Sequence, residues 1–142
     1  MNKYLIALIA IAFSSQIAHA DTNDIKTRQQ YMKDWRGISK KMGDILKNSN
    51  AQTFPNAEFA TLANQLATTA HEPWKHYTAG SIGDAKAEVW TQPQAFQAAI
   101  KQFNDATLAL AQAAKTNDYP TVKTAFGQVG QSCKTCHKSF KD

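Results

Sequence analysis

Residues 130–142 read GQSCKTCHKSFKD, and within them Cys133, Cys136 and His137 form the pattern C-x-x-C-H. On an α-helix, positions three and four apart are neighbours on one face. Two thiols placed in this way can form thioether bonds to the vinyl groups of one haem, and the histidine beside them can bind the iron. The pattern therefore predicts one covalently attached haem c per chain, with thioethers at Cys133 and Cys136 and with His137 as the proximal iron ligand.

Three other roles of the two cysteines agree less well with the sequence. A thioredoxin-like dithiol lies at the start of a helix in a βα unit, and the chain has no strand pattern. A disulfide between neighbours in one helix would close almost no loop, so it would stabilise little. A zinc site needs about four ligands, and the other histidines beyond the first segment are His71 and His76. Covalent haem is therefore the preferred interpretation.

Residues 1–20 have the features of a secretory signal peptide. A basic start is followed by an apolar run from Tyr4 to Phe13 and by a small-residue cleavage site at Ala18 and Ala20. An uncleaved anchor is the alternative, but an apolar run of about ten residues is too short to span a bilayer. The sequence therefore predicts cleavage after Ala20, which leaves one periplasmic domain, residues 21–142, without a membrane span.

The charge pattern gives no support for nucleic-acid binding. The formal net charge of the chain is +5, and the predicted leader carries one cation, Lys3, and no acid, so the mature domain keeps about +4. The lysines are spread along the chain, apart from a local pair at Lys40 and Lys41. A nucleic-acid-binding domain would show a compact basic patch or stripe. A mildly basic surface of this kind is mainly solvated, although it can also steer an acidic protein partner.

Apolar residues recur at the helix period in four segments. In the first of them, Tyr31, Trp35, Ile38 and Met42 follow one another at intervals of three or four. Segments containing Asn, Ser, Gly or Pro interrupt the pattern, and no run alternates as a strand would. Helices are predicted at about 25–47, 56–71, 93–115 and 120–140. We therefore expect an all-α fold, an antiparallel four-helix bundle with covalently bound haem.

The longest connection in this bundle is expected between the second and third helices. Its sequence, HYTAGSIGDAKAEVWTQ at residues 76–92, contains two glycines and no sustained period. Connections of this length in a compact domain are uncommon, and they are often functional or packed on a ligand. This segment is therefore a candidate for contact with a bound group.

The group on the other face of the iron must come from upstream of the motif, because the motif lies on the last predicted helix. Methionine and histidine are suitable axial ligands. After removal of Met1, the remaining methionines are Met32 and Met42, and both lie on the first helix. They are ten residues apart, which corresponds to about 80° around the helix axis. The two are therefore not expected to face the haem equally.

Three stretches of the sequence together resemble the class II c-type cytochromes, the cytochrome c-prime family. They are CKTCHKSFK at 133–141, RQQYM at 28–32 and GSIGDAKAEVWTQPQAF at 80–96. The resemblance covers essentially the whole predicted mature chain. It implies a left-twisted four-helix bundle with the haem inside, near one end, and the same roles for the two cysteines and the histidine as the motif itself.

The resemblance also implies roles for two residues of the first helix. Arg28 would lie near a haem propionate; a solvated helix charge is the alternative. Met32 would occupy the distal position. In five-coordinate members an apolar side chain shields an open face that binds NO or CO, whereas low-spin relatives use a methionine there as sixth ligand and carry electrons. Met32, followed by Lys33, resembles the low-spin group, and packing on the porphyrin without ligation stays open.

One position departs from the family pattern, because Lys141 stands where members often carry an arginine four residues after the haem histidine. If this cation holds a small ligand or orients the histidine on the proximal side, lysine does so without the planar guanidinium group of arginine. The substitution therefore weakens the interpretation as a gas-binding protein. The expected function is electron transfer between periplasmic redox proteins, and not enzymatic turnover, since no nucleophile–base set is visible. The alternative is a five-coordinate protein that binds NO or CO. A homodimer through the first two helices is implied by the resemblance alone.

Overall fold

The computed structural model describes residues 16–142, with side chains from residue 22 onward. Its elements are α1 (Gln16–Asn48), α2 (Asn56–Thr69), the single turn α3 (Glu88–Thr91), α4 (Pro93–Ala113) and α5 (Tyr119–Phe140), with 3-10 turns at Pro73–His76 and Ala114–Thr116. Among these residues the β-type pairing is one isolated bridge between Ala85 and Lys141. The expected all-α fold, a bundle of the four long helices, is confirmed.

The helix bounds differ from the expected ones in three places. α1 begins at Gln16, before the apolar period becomes visible near residue 25. α2 ends at Thr69, and Pro73 opens a 3-10 turn, because proline has no N–H to donate and fits a first helical turn. The short α3 within the long connection was not predicted, since one turn contains too few residues to show a period.

The predicted signal peptide lies mostly outside the described part of the chain, because residues 1–15 are not included in it. Residues 16–20 form the start of α1, so cleavage after Ala20 stays a prediction. From residue 16 onward, no helix combines the length and the apolar character that crossing a membrane would require.

Two apolar clusters make up the interior. The first cluster draws buried side chains from all four long helices, among them Trp35, Met42, Phe59, Ala63, Leu66, Phe103, Leu110, Val122 and Val129. The second cluster is smaller and consists of Ala85, Val89, Phe96, Ile100 and Phe140. Burial of this apolar surface, worth roughly 25 cal/mol per Å², holds the four helices together. The second cluster joins the long connection to the end of α5.

The helices α1 and α5 run antiparallel, and polar contacts link them directly at one end and through the long connection at the other. At one end, Tyr119 at the start of α5 reaches the last turn of α1. At the other end, the long connection lies between them, since Gln29 of α1 donates to Asp84 over 3.4 Å and Asp84 lies 3.1 Å from the Lys141 ammonium. α4 packs along α5, whereas α1 makes few close backbone contacts with it. Side chains of the first cluster, and not close backbone contacts, therefore connect α1 with α5.

We expect Tyr119→Phe to lower the free energy of unfolding by about 1 kcal/mol. The Tyr119 hydroxyl lies 2.9 Å from the carbonyl oxygens of both Leu46 and Ser49, and carbonyls at a helix end have no partner within the helix. Urea unfolding followed by far-ultraviolet circular dichroism measures the change. Tyr31→Phe is the control, because it removes the same hydroxyl from a half-buried ring that lies against Trp35 and not at the end of α1. Equal effects of the two changes would contradict a specific role of Tyr119.

Candidate functional site

The last three turns of α5 place the two cysteines at the junction of the two apolar clusters. Both thiols are free and half-buried. Cys133 packs against the first cluster and Cys136 packs against the second. Positions three apart on a helix point to neighbouring sectors of its surface, so one face of α5 spans both clusters. His137, four residues after Cys133, lies on the same side and is exposed.

The environment of the thiols does not favour redox chemistry between them. Burial raises the pKa of Cys133, and burial together with the charge of Cys133 raises the pKa of Cys136 to about 11. Thiol–disulfide enzymes instead lower a thiol pKa, often at a helix N-terminus. These cysteines lie near the C-terminal end of α5, where the helix dipole disfavours a thiolate. A thioredoxin-like role is therefore not supported by the geometry.

The surroundings of His137 favour the neutral form of its imidazole. Burial lowers its pKa, the ammonium of Lys141 and the guanidinium of Arg36 lower it further, and Asp84 acts in the opposite direction. A neutral imidazole is the form that binds a metal. Within the described part of the chain, no three His, Cys, Asp or Glu side chains come together as a metal-binding group, so a zinc site at these residues has no support.

The two methionines of α1 occupy different environments. Met42 is wholly buried in the first cluster, with 0% of its surface exposed. Met32 is half-buried and packs on the edge of that cluster, against which Cys133 also packs. Met32 therefore lies at the boundary of the interior, and Met42 is a core residue. The two methionines thus differ in burial, and Met32 is the one whose side chain is accessible to a bound group; that it faces the haem stays a prediction.

Arg28 is almost completely buried, with 2% of its surface exposed. Its Nη1 donates to the His76 carbonyl oxygen (3.0 Å) and to Ser81 Oγ (2.9 Å), and its Nη2 donates to the Ile82 carbonyl oxygen (2.7 Å). The alternative of a solvated helix charge is therefore wrong. These bonds use three of the five N–H donors of a guanidinium, which leaves two for a further acceptor such as a propionate.

A second contact between α1 and the long connection involves Asp24. One carboxylate oxygen of Asp24 lies 2.7 Å from His76 Nδ1, and the other accepts a hydrogen bond of 2.7 Å from Thr78 Oγ1. The hydrogen bond with His76 holds the pKa of Asp24 below its ordinary value, and the hydrogen bond from Thr78 has the same effect to a smaller extent. Sequence reasoning missed this contact because its partners lie 52 and 54 positions apart and carry no local signal.

The chain just past α5 pairs with the long connection. Lys86 N–H donates to the Phe140 carbonyl oxygen (3.0 Å), and Asp142 N–H donates to the Asp84 carbonyl oxygen (3.1 Å). The Lys141 ammonium lies 3.1 Å from the Asp84 carboxylate. The cation four residues after His137 is thus held by a specific partner, which the sequence did not predict.

An aromatic wall surrounds the position of Cys136. Rings of Trp74, Tyr77, Phe96 and Phe140 contact one another at centroid separations of 5.1 to 6.3 Å. The Arg28 guanidinium carbon lies 4.5 Å from the centre of the Tyr77 ring, and burial raises the pKa of Tyr77 to about 12. The phenol therefore stays neutral at physiological pH. Such a wall suits the apolar faces and edges of a large planar group.

The residues fit a covalently attached haem on several independent grounds. Two free thiols and a neutral imidazole share one turn of α5, a thioether side chain lies on the facing helix, and a buried guanidinium has unused donors. The backbones of α1 and α5 make few close contacts, and apolar side chains lie around both cysteines. The two thiols can form the thioethers, the imidazole nitrogen can bind the iron, and the guanidinium can bind a propionate.

Comparison with known proteins points to one family. The sequence model of the family described as Cytochrome C' matches residues 23–141. The cytochrome c' of Rhodospirillum rubrum is 29% identical over 140 residues, which are 96% of this chain and 95% of that protein. The cytochrome c' of Pararhodospirillum photometricum is 31% identical over 122 residues, which are 83% of this chain and 95% of that protein.

Solved structures of cytochrome c prime from Alcaligenes xylosoxidans superpose on the bundle. A nitric oxide complex of a variant has a TM-score of 0.80 at 27% identity, and the match covers 86% of this chain and 95% of that one. A carbon monoxide-bound variant has the same TM-score and identity and covers 86% of this chain and 96% of that one. The likeness extends over the whole bundle and is not confined to the C-x-x-C-H motif.

Proposed function

This chain belongs to the cytochrome c' family, and from that premise we propose that it carries single electrons between redox proteins of the periplasm. Its cofactor is a covalently bound haem c. The haem iron supplies reversible one-electron oxidation and reduction. The observation that carries the proposal is the pair of free, half-buried thiols beside a neutral imidazole at the junction of the two apolar clusters.

In this proposal the residues of α5 attach the cofactor. Cys133 and Cys136 would form the two thioethers, and His137 would bind the iron as the proximal ligand. The high pKa of both thiols keeps them protonated and slow to oxidise before attachment. The apolar clusters on either side exclude water, which lowers the energy needed to rearrange the surroundings when the charge of the site changes.

Residues of α1 would complete the site. Arg28 binds the connection at His76, Ser81 and Ile82, and its two remaining donors would serve a propionate. Met32 would face the iron on the distal side as a soft thioether ligand. Because Arg28 and Met32 are four residues apart on one face of α1, both would contact the same planar group.

The second candidate function is binding of NO or CO at an open distal face. Cytochrome c prime structures from Alcaligenes xylosoxidans with nitric oxide and carbon monoxide bound are among the matching ones. Met32 packs on apolar side chains, as a residue that only covers the porphyrin would. We also propose export to the periplasm, absence of enzymatic turnover, and a homodimer as the assembly.

We expect Met32→Ala to convert the haem from low-spin to high-spin. Loss of the thioether leaves one axial position open, so the ferrous variant should bind CO while the wild-type protein does not. Protein produced with a haem-maturation system and studied by absorption spectroscopy, with and without CO, measures this change. A wild-type protein that is high-spin and shifts with CO would contradict electron carriage with Met32 as ligand and would favour gas binding.

Met42→Leu is the matched control for this measurement. Met42 lies on the same helix but is wholly buried in the first cluster, and a change of similar volume in a core typically costs less than about 1.5 kcal/mol. Its spectrum should be that of the wild-type protein. If both methionine variants changed the spin state, the effect would be structural, and Met32 would lose its assigned role.

A further inference from the structure

The carboxylate and ammonium side chains of α5, the helix with the haem motif, are all of one kind, because lysines are present and acidic residues are not. Between Tyr119 and Phe140, α5 contains no aspartate or glutamate, and its lysines are Lys123, Lys134 and Lys138. All three side chains are exposed. The helices α1 and α4 contain charges of both signs, as Asp44 of α1 and Asp105 of α4 illustrate. The solvent side of α5 is therefore a positive surface that no acid of its own helix offsets.

Some of the exposed lysines outside α5 have acidic partners, although others, such as Lys33 and Lys41, are in none of the ion pairs of residues 22–142. Lys40 lies 2.7 Å from Asp44, and Lys101 lies 2.6 Å from Asp105. Lys141 likewise pairs with Asp84. The ion pairs of residues 22–142 include none of Lys123, Lys134 and Lys138. The positive charge of α5 is thus available to a partner molecule.

The three lysines lie along one side of the helix. At about 100° per residue, Lys134 is rotated by about 20° from Lys123, and Lys138 by about 40° more. At about 1.5 Å per residue, the distance along the axis from Lys123 to Lys138 is about 22 Å. Between them, nothing lies within 4 Å of the positions that a Cβ would occupy at Gly127 and Gly130. We call this surface, defined by Lys123, Lys134 and Lys138, the α5 basic strip.

One end of the strip lies at the candidate haem site. Lys134 lies between the two cysteines in sequence, and Lys138 directly follows His137. The ammonium of Lys86, from the long connection, donates to the Lys138 carbonyl oxygen (3.1 Å) and adds a fourth cation there. Charges act over about 8 Å at physiological ionic strength, so a molecule held at this end of the strip lies within their field and next to the haem attachment site.

We propose that the α5 basic strip is the docking surface for the acidic face of a second electron-transfer protein. The inference rests on the proposed electron-carrier function and specifies the chemistry of its partner. Uncompensated charge at the rim of an interface raises the association rate and selects partners of opposite sign. Complexes between electron-transfer proteins bury a small total surface, below about 1,200 Å². A strip about 22 Å long is large enough for a contact of this size.

Two other anionic partners fit the strip less well. A helix that binds a lipid surface presents large apolar residues to the acyl boundary beside its basic ones, whereas the positions between these lysines include Gly127, Gly130 and Gln131. Single-stranded nucleic acid is bound by cations together with exposed aromatic rings. Phe126 and Phe140 of α5 are at least half-buried, so the strip offers charge without a stacking platform.

The experiment measures binding of the haem-loaded protein to a flavodoxin, an acidic flavin protein used here as the probe. The variant is Lys134→Glu with Lys138→Glu. The control, Lys40→Glu with Lys101→Glu, makes the same change of net charge at lysines that are 77% and 76% exposed on other helices. Isothermal calorimetry gives the dissociation constant at about 20 mM and 200 mM salt, and stopped-flow absorption gives the rate of haem reduction by the reduced flavodoxin.

We expect the strip variant to bind flavodoxin at least about tenfold more weakly than wild-type protein at low salt, and the control to differ by less than about threefold. Salt should weaken wild-type binding and should have little effect on the strip variant. Equal dissociation constants for the two double variants would overturn the proposal. So would binding to phosphatidylglycerol vesicles that is tighter than binding to flavodoxin and is lost in the strip variant, since that result would assign the strip to lipid.

Failure of the docking surface and failure of the proposed function give different results. Calorimetry does not depend on the state of the iron, so it tests docking in every case. A protein that lacks covalent haem, or whose haem is not reversibly reduced, contradicts the electron-carrier function through its spectrum. A protein with normal spectra and reversible reduction, but with no difference between the variants, contradicts the docking surface alone.

Discussion

A Cys133→Ser, Cys136→Ser double variant is expected to lose covalent haem almost completely. The thioethers are the bonds that hold the porphyrin when the protein is denatured, and serine cannot form them. The haem that stays with the polypeptide after acid–acetone extraction should fall by more than about tenfold relative to wild type. Absorption at the Soret band of the extracted protein, normalised to protein concentration, measures this loss.

The single variants keep the result interpretable if the double variant folds poorly. Cys133→Ser and Cys136→Ser should each retain haem through one thioether, and the pyridine haemochrome band should shift because one vinyl group remains unreacted. Thr135→Ala is the control, since Thr135 lies between the two cysteines in sequence and is exposed. Full retention of extracted haem by the double variant would contradict thioether attachment at these positions.

An Arg28→Met variant is expected to lose about 3 kcal/mol or more of the free energy of unfolding. Three hydrogen bonds from the guanidinium would disappear, and each bond of a charged group contributes about 1.5–3 kcal/mol without being additive. Ser81 Oγ and the carbonyl oxygens of His76 and Ile82 would lose a donor in the interior. This is a large part of the stability of a domain of this size, typically about 5–15 kcal/mol. Urea unfolding of the haem-loaded variant measures the loss.

Two further variants separate charge from geometry at this position. Arg28→Lys keeps a cation but lacks the planar fork, so it should recover only part of the lost stability. A double-mutant cycle of Arg28→Met with Ser81→Ala should show a coupling of about 1 kcal/mol, since the two side chains are in contact at 2.9 Å. Additive effects of the two changes, or a loss below about 1 kcal/mol in Arg28→Met, would show that this contact does not hold the connection to α1.

The helices and the haem motif were predictable because both are encoded by residues close together in the chain. The apolar period of three and four residues identified all four long helices, with ends that differ by a few residues, except at α1. C-x-x-C-H at 133–137 is a local pattern whose geometry follows from the helix itself. The one-turn α3 was missed, because four residues do not establish a period.

The surroundings of the site were predictable only in part. The sequence placed Met32 and Met42 about 80° apart on one helix, but it could not say which of them belongs to the core. Burial decides this, since Met42 is enclosed by the first cluster and Met32 lies at its edge. The sequence showed Lys141 only as a lysine in the place of an arginine, and its pairing with Asp84 depends on a connection that returns to the end of α5.

The sequence by itself determined that this protein is an all-α bundle and predicted a site for covalent haem on its last helix, because helix period and ligand spacing are short-range properties. Only the tertiary structure decided how that site is enclosed. Arg28 is buried because it donates to groups 48 to 54 positions away, and none of the ion pairs formed among residues 22–142 involves a lysine of α5. Such long-range contacts arise when the helices pack, so no local pattern could reveal them.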